Sequence, residues 1–121
     1  MKILVCGGRD FNNKKALYEA LDANTKKSKD ITIIHGAARG ADSLAQEWAD
    51  ERGWPCLRFP ADWEKNGKAA GPMRNQMMLD VARPDLVMAF PGGRGTKDMI
   101  NRTLKMNMSV LEIKCSLKEK P

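Results

Sequence analysis

The run Ala89-Phe90-Pro91-Gly92-Gly93-Arg94-Gly95-Thr96 holds the residues whose chemistry is easiest to read. It follows an apolar segment, Leu86 to Phe90, and precedes one in which Met99, Ile100, Thr103 and Leu104 recur at helical spacing. A strand that ends in Pro-Gly-Gly-x-Gly-Thr and feeds a helix leaves backbone N–H groups bare at the positive end of that helix. Such a turn holds phosphate. Pro91, Gly92, Gly93, Gly95 and Thr96 form this cradle in our reading, and the question becomes which phosphate-bearing molecule sits there and whether it is bound or cut.

Three other turns carry polar residues of the same kind. Gly7-Gly8-Arg9-Asp10 lacks the GxGxxG spacing of dinucleotide-binding sheets and does not point to NAD. Gly7 and Gly8 let a ligand approach the backbone, Arg9 suits a phosphate and Asp10 a ribose hydroxyl; a surface ion pair beside a strand-ending turn is the equal alternative. In His35-Gly36-Ala37-Ala38-Arg39-Gly40-Ala41-Asp42 the small residues leave room over a helix start, and Arg39 adds a fixed positive charge. Asp42 falls in the first helical turn, where the dipole favours a carboxylate, and is read as structural. His35 is the only histidine, so a multi-histidine metal site is excluded, and with no Ser or Cys partner a hydrolase triad is unsupported. It is expected to bond backbone or ligand at the rim, beside Gly36 and Gly40. Between Asp62 and Asn75, both expected at the site, Trp63 is placed to stack on a base, while Lys68 and Arg74 hold phosphate or carboxylate. Asp62, like Asp10, is a candidate for ribose or base hydroxyl and amine groups. The alternative for Trp63 is a lid on the core edge. No metal or cofactor is expected.

The elements that must position these turns alternate strand and helix. Strands are expected at Lys2 to Cys6, Ile31 to Ile34, Pro55 to Phe59, Asp85 to Phe90 and Met108 to Ile113. Asn12 is expected to cap a helix with Ala16, Leu17, Ala20 and Leu21 inward. A second helix buries Ala41, Leu44, Ala45, Trp48 and Ala49 and stops near Gly53. Residues 60–71 read as an irregular functional loop. Pro72 then opens a third helix with Met73, Met77, Met78 and Val81 inward, ended by Pro84, and the fourth follows the glycine turn. Strands separated by helices of this length imply an α/β, Rossmann-like, doubly wound and mainly parallel five-stranded sheet with helices on both faces. In such sheets ligands bind beyond the carboxyl ends of the strands, which is where all four turns fall.

Length and composition agree with one domain over residues 1–113 followed by a polar tail, 114–121. The chain has 121 residues and no apolar run long enough to span a bilayer, and a signal peptide is not expected from its strand-like first residues. Three cysteines without CxxC spacing read as free thiols in a reducing, cytoplasmic setting. A net charge of +6 favours an anionic partner. Its lysines, however, cluster on the first helix, the loop after it and the tail, without interleaved aromatics, so nucleic acid ranks second as a partner. Apolar helix faces in excess of what one sheet needs, the Met-rich third helix above all, predict a homo-oligomer.

Gly-Gly-Arg-Asp-Phe at 7–11, the His35–Asp42 run, Asp62-Trp63, Gly-Lys-Ala-Ala-Gly-Pro-Met-Arg-Asn at 67–75 and Phe-Pro-Gly-Gly-Arg-Gly-Thr at 90–96 together resemble the YspA-like, cpYpsA-related branch of the SLOG superfamily. That superfamily includes the Lonely Guy phosphoribohydrolases and the DNA-processing protein DprA. The resemblance spans residues 1 to about 113 and implies a Rossmann-like fold with a site for a nucleotide or a nucleotide-derived ligand. Lonely Guy enzymes cleave the bond between a base and ribose 5′-monophosphate, using an Arg and the Glu of Pro-Gly-Gly-x-Gly-Thr-x-x-Glu. Arg74 resembles that Arg. Met99 stands at the Glu position, and Asp98, one residue earlier, points about 100° away around a helix. The phosphate cradle is kept and the acid is not. The sequence therefore reads as a nucleotide-binding protein acting as sensor, carrier or sequestering agent. The alternative is an N-glycosidase or phosphoribohydrolase acting on a nucleoside monophosphate or an ADP-ribose-type substrate, with Arg74 and Asp98 catalytic. A single-stranded DNA-binding module is the second alternative.

Overall fold

The computed structural model describes residues 1–120; Pro121, the end of the expected tail, lies outside them. Five short strands, β1 (Lys2–Cys6), β2 (Thr32–His35), β3 (Cys56–Arg58), β4 (Leu86–Ala89) and β5 (Val110–Glu112), form one sheet in the order β3-β2-β1-β4-β5. Every pairing is parallel. The chain winds outward from β1 to β3, crosses back to β4, and continues outward to β5. The order reverses between β1 and β4, which opens a crevice at their carboxyl ends.

Alternation along the strands divides the core in two. Ile3, Val5 and Ile33 face α1 (Lys14–Thr25) and α2 (Ala41–Arg52), packing with Leu17, Leu21, Ala45 and Trp48. Leu4, Cys6, Ile34, Val87 and Ala89 face the other way, against Met78, Leu79, Ala82 and Met99. The cap of α1 is Asn13, not Asn12: the Asn13 side chain accepts from the Ala16 N–H at 3.2 Å, three residues on, as an N-cap must. Asn12 instead binds the C-terminal segment, donating its N–H to Leu117 O and accepting at Oδ1 from the Glu119 N–H. Gly53, in the left-handed region, ends α2 with its N–H on Ala49 O and Asp50 O.

Residues 60–71 are not the irregular loop the sequence suggested. They hold a one-turn helix, α3 (Trp63–Asn66), a 3-10 turn (Gly67–Ala69) and the start of α4 (Ala70–Met77). Pro72 is the third residue of α4, still within the first turn, where its missing N–H costs little. The helix continues as a π turn (Met78–Ala82) and stops at Arg83, in the left-handed region. Its expected inward face is also corrected. Met78 is buried, but Met73, Met77 and Val81 are 51%, 53% and 67% exposed. Two polar residues set the rotation of the helix: Arg74 bonds the loop after β2 and Asn75 bonds the next helix, which turns the 73/77/81 stripe to solvent. On α5 (Arg94–Lys105), Met99 and Thr103 are buried as the periodicity requires, whereas Leu104 is exposed.

Candidate functional site

The crevice at the switch point is a cleft of about 610 Å³. Its floor is the end of β1, Val5 and Cys6. One wall is formed by Gly7, Gly8 and the first turn of α5, and the other by Trp63, Lys68, Gly71, Pro72 and the inner side of α4. Two glycine turns meet at its edge. Gly8 N–H donates to Pro91 O at 2.9 Å, and Phe90 N–H to Cys6 O at 2.8 Å. A Cβ on Gly92 would run into Thr96 Oγ1 and lie 2.6 Å from Gly8 N, and one on Gly7 would lie 2.6 Å from Ala41 Cβ. These glycines are used up by the approach of the two turns. At Gly93 and Gly95, by contrast, a Cβ meets nothing within 4 Å.

The open side at those two glycines is the N-terminus of α5. Gly93 supplies no side-chain cap and the first turn has no acid. Lys97 N–H begins the helical ladder on Gly93 O, so the N–H groups of Arg94, Gly95 and Thr96 precede it without acceptors. Thr96 is buried behind them.

Arg74 crosses from α4 toward the loop after β2. Its Nη1 donates to Gly36 O at 2.5 Å and its Nε to Asn75 Oδ1 at 3.0 Å. The guanidinium lies directly on Gly36, where a Cβ would collide with it. Burial lowers its pKa and the charge of Asp42 works in the opposite direction. Asn75 passes the connection on: its Nδ2 donates to Asp98 Oδ2 at 3.0 Å and to Gly95 O at 3.3 Å. Asp98 also receives Arg102 Nε at 2.8 Å. Burial raises its pKa, but the bonds from Arg102 and Asn75 and the charges of Arg102 and Lys105 outweigh that and hold it below the usual carboxylate range. Asp98 is thus tied into an ion pair with Arg102 and bonded by Asn75, partners that favour its charged form.

Of the residues expected at the site, Gly7, Gly8, Arg9, Trp63, Lys68, Arg74, Asn75, Gly93, Gly95, Thr96 and Asp98 line the cleft. Arg9 lies 5.2 Å from the centre of the half-exposed Trp63 ring, so the two form a rim together. Asp10, Gly36, Arg39 and Gly40 are in adjoining depressions, where Arg39 meets Asp10 at 3.5 Å in the open. Four others are not brought to the cleft lining. His35 is buried, its Nε2 2.6 Å from Gln46 Oε1 and its Nδ1 accepting from the Ala37 N–H. Asp62 caps α3 through Lys65 N–H. Pro91 and Gly92 serve the turn contact described above.

Sequence reasoning missed Cys6, Arg94 and, above all, Asp42 as lining residues. Asp42 is only 7% exposed. Its Oδ2 accepts from the N–H groups of Gly36 and Ala38, at 3.1 and 3.2 Å. The small residues at Gly36, Ala37 and Ala38 were the available signal, because they clear the space through which this carboxylate reaches the cleft. Among the described residues no group of three His, Cys, Asp or Glu side chains is gathered to hold a metal, and no helix is long and apolar enough to cross a membrane.

A parallel, Rossmann-like sheet with a glycine-walled cleft at its switch point and a bare helix N-terminus inside it defines the molecule as a Rossmann-like α/β protein. Comparison with known proteins narrows the class. The family model described as YspA, cpYpsA-related SLOG family matches residues 1–66. The Gene 61 protein of Mycobacterium phage D29 is 34% identical over 119 residues, covering 91% of this chain and 94% of that one. The chain belongs to the YspA, cpYpsA-related SLOG family. Among solved structures, the C-terminal domain of a Pyrococcus furiosus hydrogenase superposes with a TM-score of 0.56 at 20% identity, over 93% of this chain and 90% of that domain. Acinetobacter baumannii MurG gives 0.57 at 10% identity, and a UDP-N-acetylglucosamine 2-epimerase 0.58 at 15%. This chain covers 92% and 93% of itself in those two matches but only 34% and 33% of the larger enzymes. At these identities the likeness is one of fold.

Proposed function

We propose that the protein binds a nucleotide or nucleotide-derived ligand in this cleft, as a sensor, carrier or sequestering protein, with a phosphate on the N–H groups of Arg94, Gly95 and Thr96. The observation that carries the reading is that bare helix start, left open at Gly93 and Gly95 inside a cleft of nucleotide size. Lys68, Arg74 and Arg9 supply positive charge around it, Trp63 offers a face for the base, and Arg39 extends the charge along the outer rim. Residues 1–113 form the binding domain in this reading. The three free cysteines suit a reducing, cytoplasmic setting.

Mass spectrometry of small molecules copurifying with the protein identifies the ligand class, and calorimetry with AMP, NAD and ADP-ribose measures affinity. Gly95→Val, which fills the open space over the helix start, is expected to weaken binding by at least about tenfold, the scale of one lost charge-assisted hydrogen bond. Binding that is unchanged by Gly95→Val and by Arg74→Ala would remove the phosphate assignment.

The cleavage reading, with Asp98, Asp62 or Asp10 as its acid, is the less favoured one, because Asp98 is paired with Arg102 and Asp62 caps α3. Release of free base from AMP or NAD, abolished in Asp98→Asn or Arg74→Ala, would reinstate it. The solvent-facing stripe of Met73, Met77 and Val81 is the surface we assign to self-association. Sedimentation velocity is expected to show an oligomer that Met77→Glu dissociates. Nucleic acid stays the second-ranked partner, and its sign would be single-strand affinity that falls steeply with salt.

A further inference from the structure

The expected acceptors for a ligand's hydroxyl groups, Asp10 and Asp62, are both engaged elsewhere. Asp62 caps α3, and Asp10 faces Arg39 at the exposed outer rim. Asp98 is paired with Arg102. The remaining carboxylate of the cleft is Asp42. Only Oδ2 is engaged, by two backbone N–H groups; Oδ1 takes no hydrogen bond from the protein, and the residue lines the cleft. Oδ1 is not sealed from solvent, so a donor entering the cleft can reach it and take the place of water. Arg74 is nearby, because its guanidinium rests on Gly36 while Asp42 binds the Gly36 N–H, yet the two charges form no direct ion pair. Burial pushes the Asp42 carboxyl above its ordinary range, against the N–H groups of Ala38 and Gly36 and the charges of His35 and Arg74. The protein by itself does not complete this site.

The chemistry of the missing group follows from its two neighbours. Asp42 offers an acceptor and Arg74 only donors, so a group that both donates and accepts satisfies them together. A hydroxyl does this, and an exocyclic amino group, which only donates, leaves Arg74 unmatched. We propose that Asp42, with Arg74 across from it, is a specificity site for a hydroxyl of the ligand's ribose, selecting ribonucleotides over deoxyribonucleotides. This rests on the nucleotide reading above and assigns to the α2 end of the cleft the sugar whose phosphate lies at α5.

The test is calorimetric, with ribonucleoside 5′-monophosphates and their 2′-deoxy and 3′-deoxy counterparts as ligands. The wild-type protein is expected to lose about tenfold or more in affinity when the hydroxyl that meets Asp42 is removed. Asp42→Asn keeps an oxygen for the Gly36 and Ala38 N–H groups, so the loop stays anchored, but turns a donor toward the cleft. It is expected to weaken the ribonucleotide by a similar factor, leave the deoxy analogue nearly unchanged and bring their ratio close to one. Equal wild-type affinity for ribo and deoxy ligands, both weakened by Gly95→Val, overturns the ribose assignment and leaves the phosphate site standing. A uniform loss for all ligands in Asp42→Asn also overturns it, as a structural role would give. Absence of binding by every monophosphate removes both readings. The comparison of analogues on wild-type protein needs no variant to fold.

Discussion

At Gly36 the guanidinium of Arg74 occupies the place a Cβ would take. Gly36→Ala must therefore push that guanidinium off the carbonyl it binds, although residue 36 itself presents nothing to a ligand. We expect this variant to fold, to weaken nucleotide binding about as much as Arg74→Ala, and to show no further loss when the two changes are combined. A double-mutant cycle by calorimetry measures that coupling. This holds at Gly36 because every near neighbour of that Cβ is the end of one flexible side chain. At Gly92 a Cβ meets the backbone of the neighbouring turn at Gly7 and Gly8 as well as Thr96 Oγ1, and a side chain there would disrupt the fold of the crevice itself.

Among the elements, α4 departs furthest from its sequence pattern. Its π turn ends at Arg83, whose φ of 47° is a conformation that non-glycine residues rarely adopt. Arg83→Gly relieves the clash of Cβ with the backbone, and stabilisation of roughly 1 kcal/mol in chemical denaturation is expected after the entropy cost of glycine. Asn107, at φ 56°, needs no such relief because asparagine tolerates that region. The segment after β5 is an element in its own right. Through Ser116, Leu117 and Glu119 it bonds Asn12, Asn13 and Lys15 at the start of α1. Truncation after Lys114 is expected to lower the melting temperature by several degrees, on the scale of about 1 kcal/mol for each net hydrogen bond lost. Unchanged melting would mean these bonds merely exchange with water.

For the whole molecule, acid stability follows from two tied carboxylates. Asp22 receives Trp48 Nε1 at 2.9 Å and Arg52 at 2.8 and 2.9 Å, which joins α1 to α2; Asp98 and Arg102 join α5 to α4 through Asn75 and Gln76. Burial raises the pKa of each, but their partners outweigh it and the folded values are lowered. A lowered folded pKa gives stability that is present above the unfolded carboxylate range and is lost as pH falls through the folded value. Asp42, with its raised value, runs the other way and costs stability as pH rises through it. Urea midpoints measured from pH 7 to pH 3 should fall, and Asp22→Asn and Asp98→Asn should flatten that fall, since their amides do not titrate.

Alternating apolar strands, helical spacing and glycine turns determined the fold class, the parallel winding and the rim on which the cleft opens, because these depend on local period and on the handedness of crossovers. The Pro91-to-Thr96 turn was legible for the same reason: a helix start is a local object. Contacts between residues far apart in the chain were not. Whether Gly92 serves a ligand or a neighbouring turn, whether Asp62 faces the cleft or caps a helix, and which side of α4 meets the sheet were decided by packing alone. Asp42 shows the difference most clearly. Its place in the first turn of α2 already accounted for a carboxylate through the dipole. Only the approach of α4 and Arg74 made the residue part of a cleft lining.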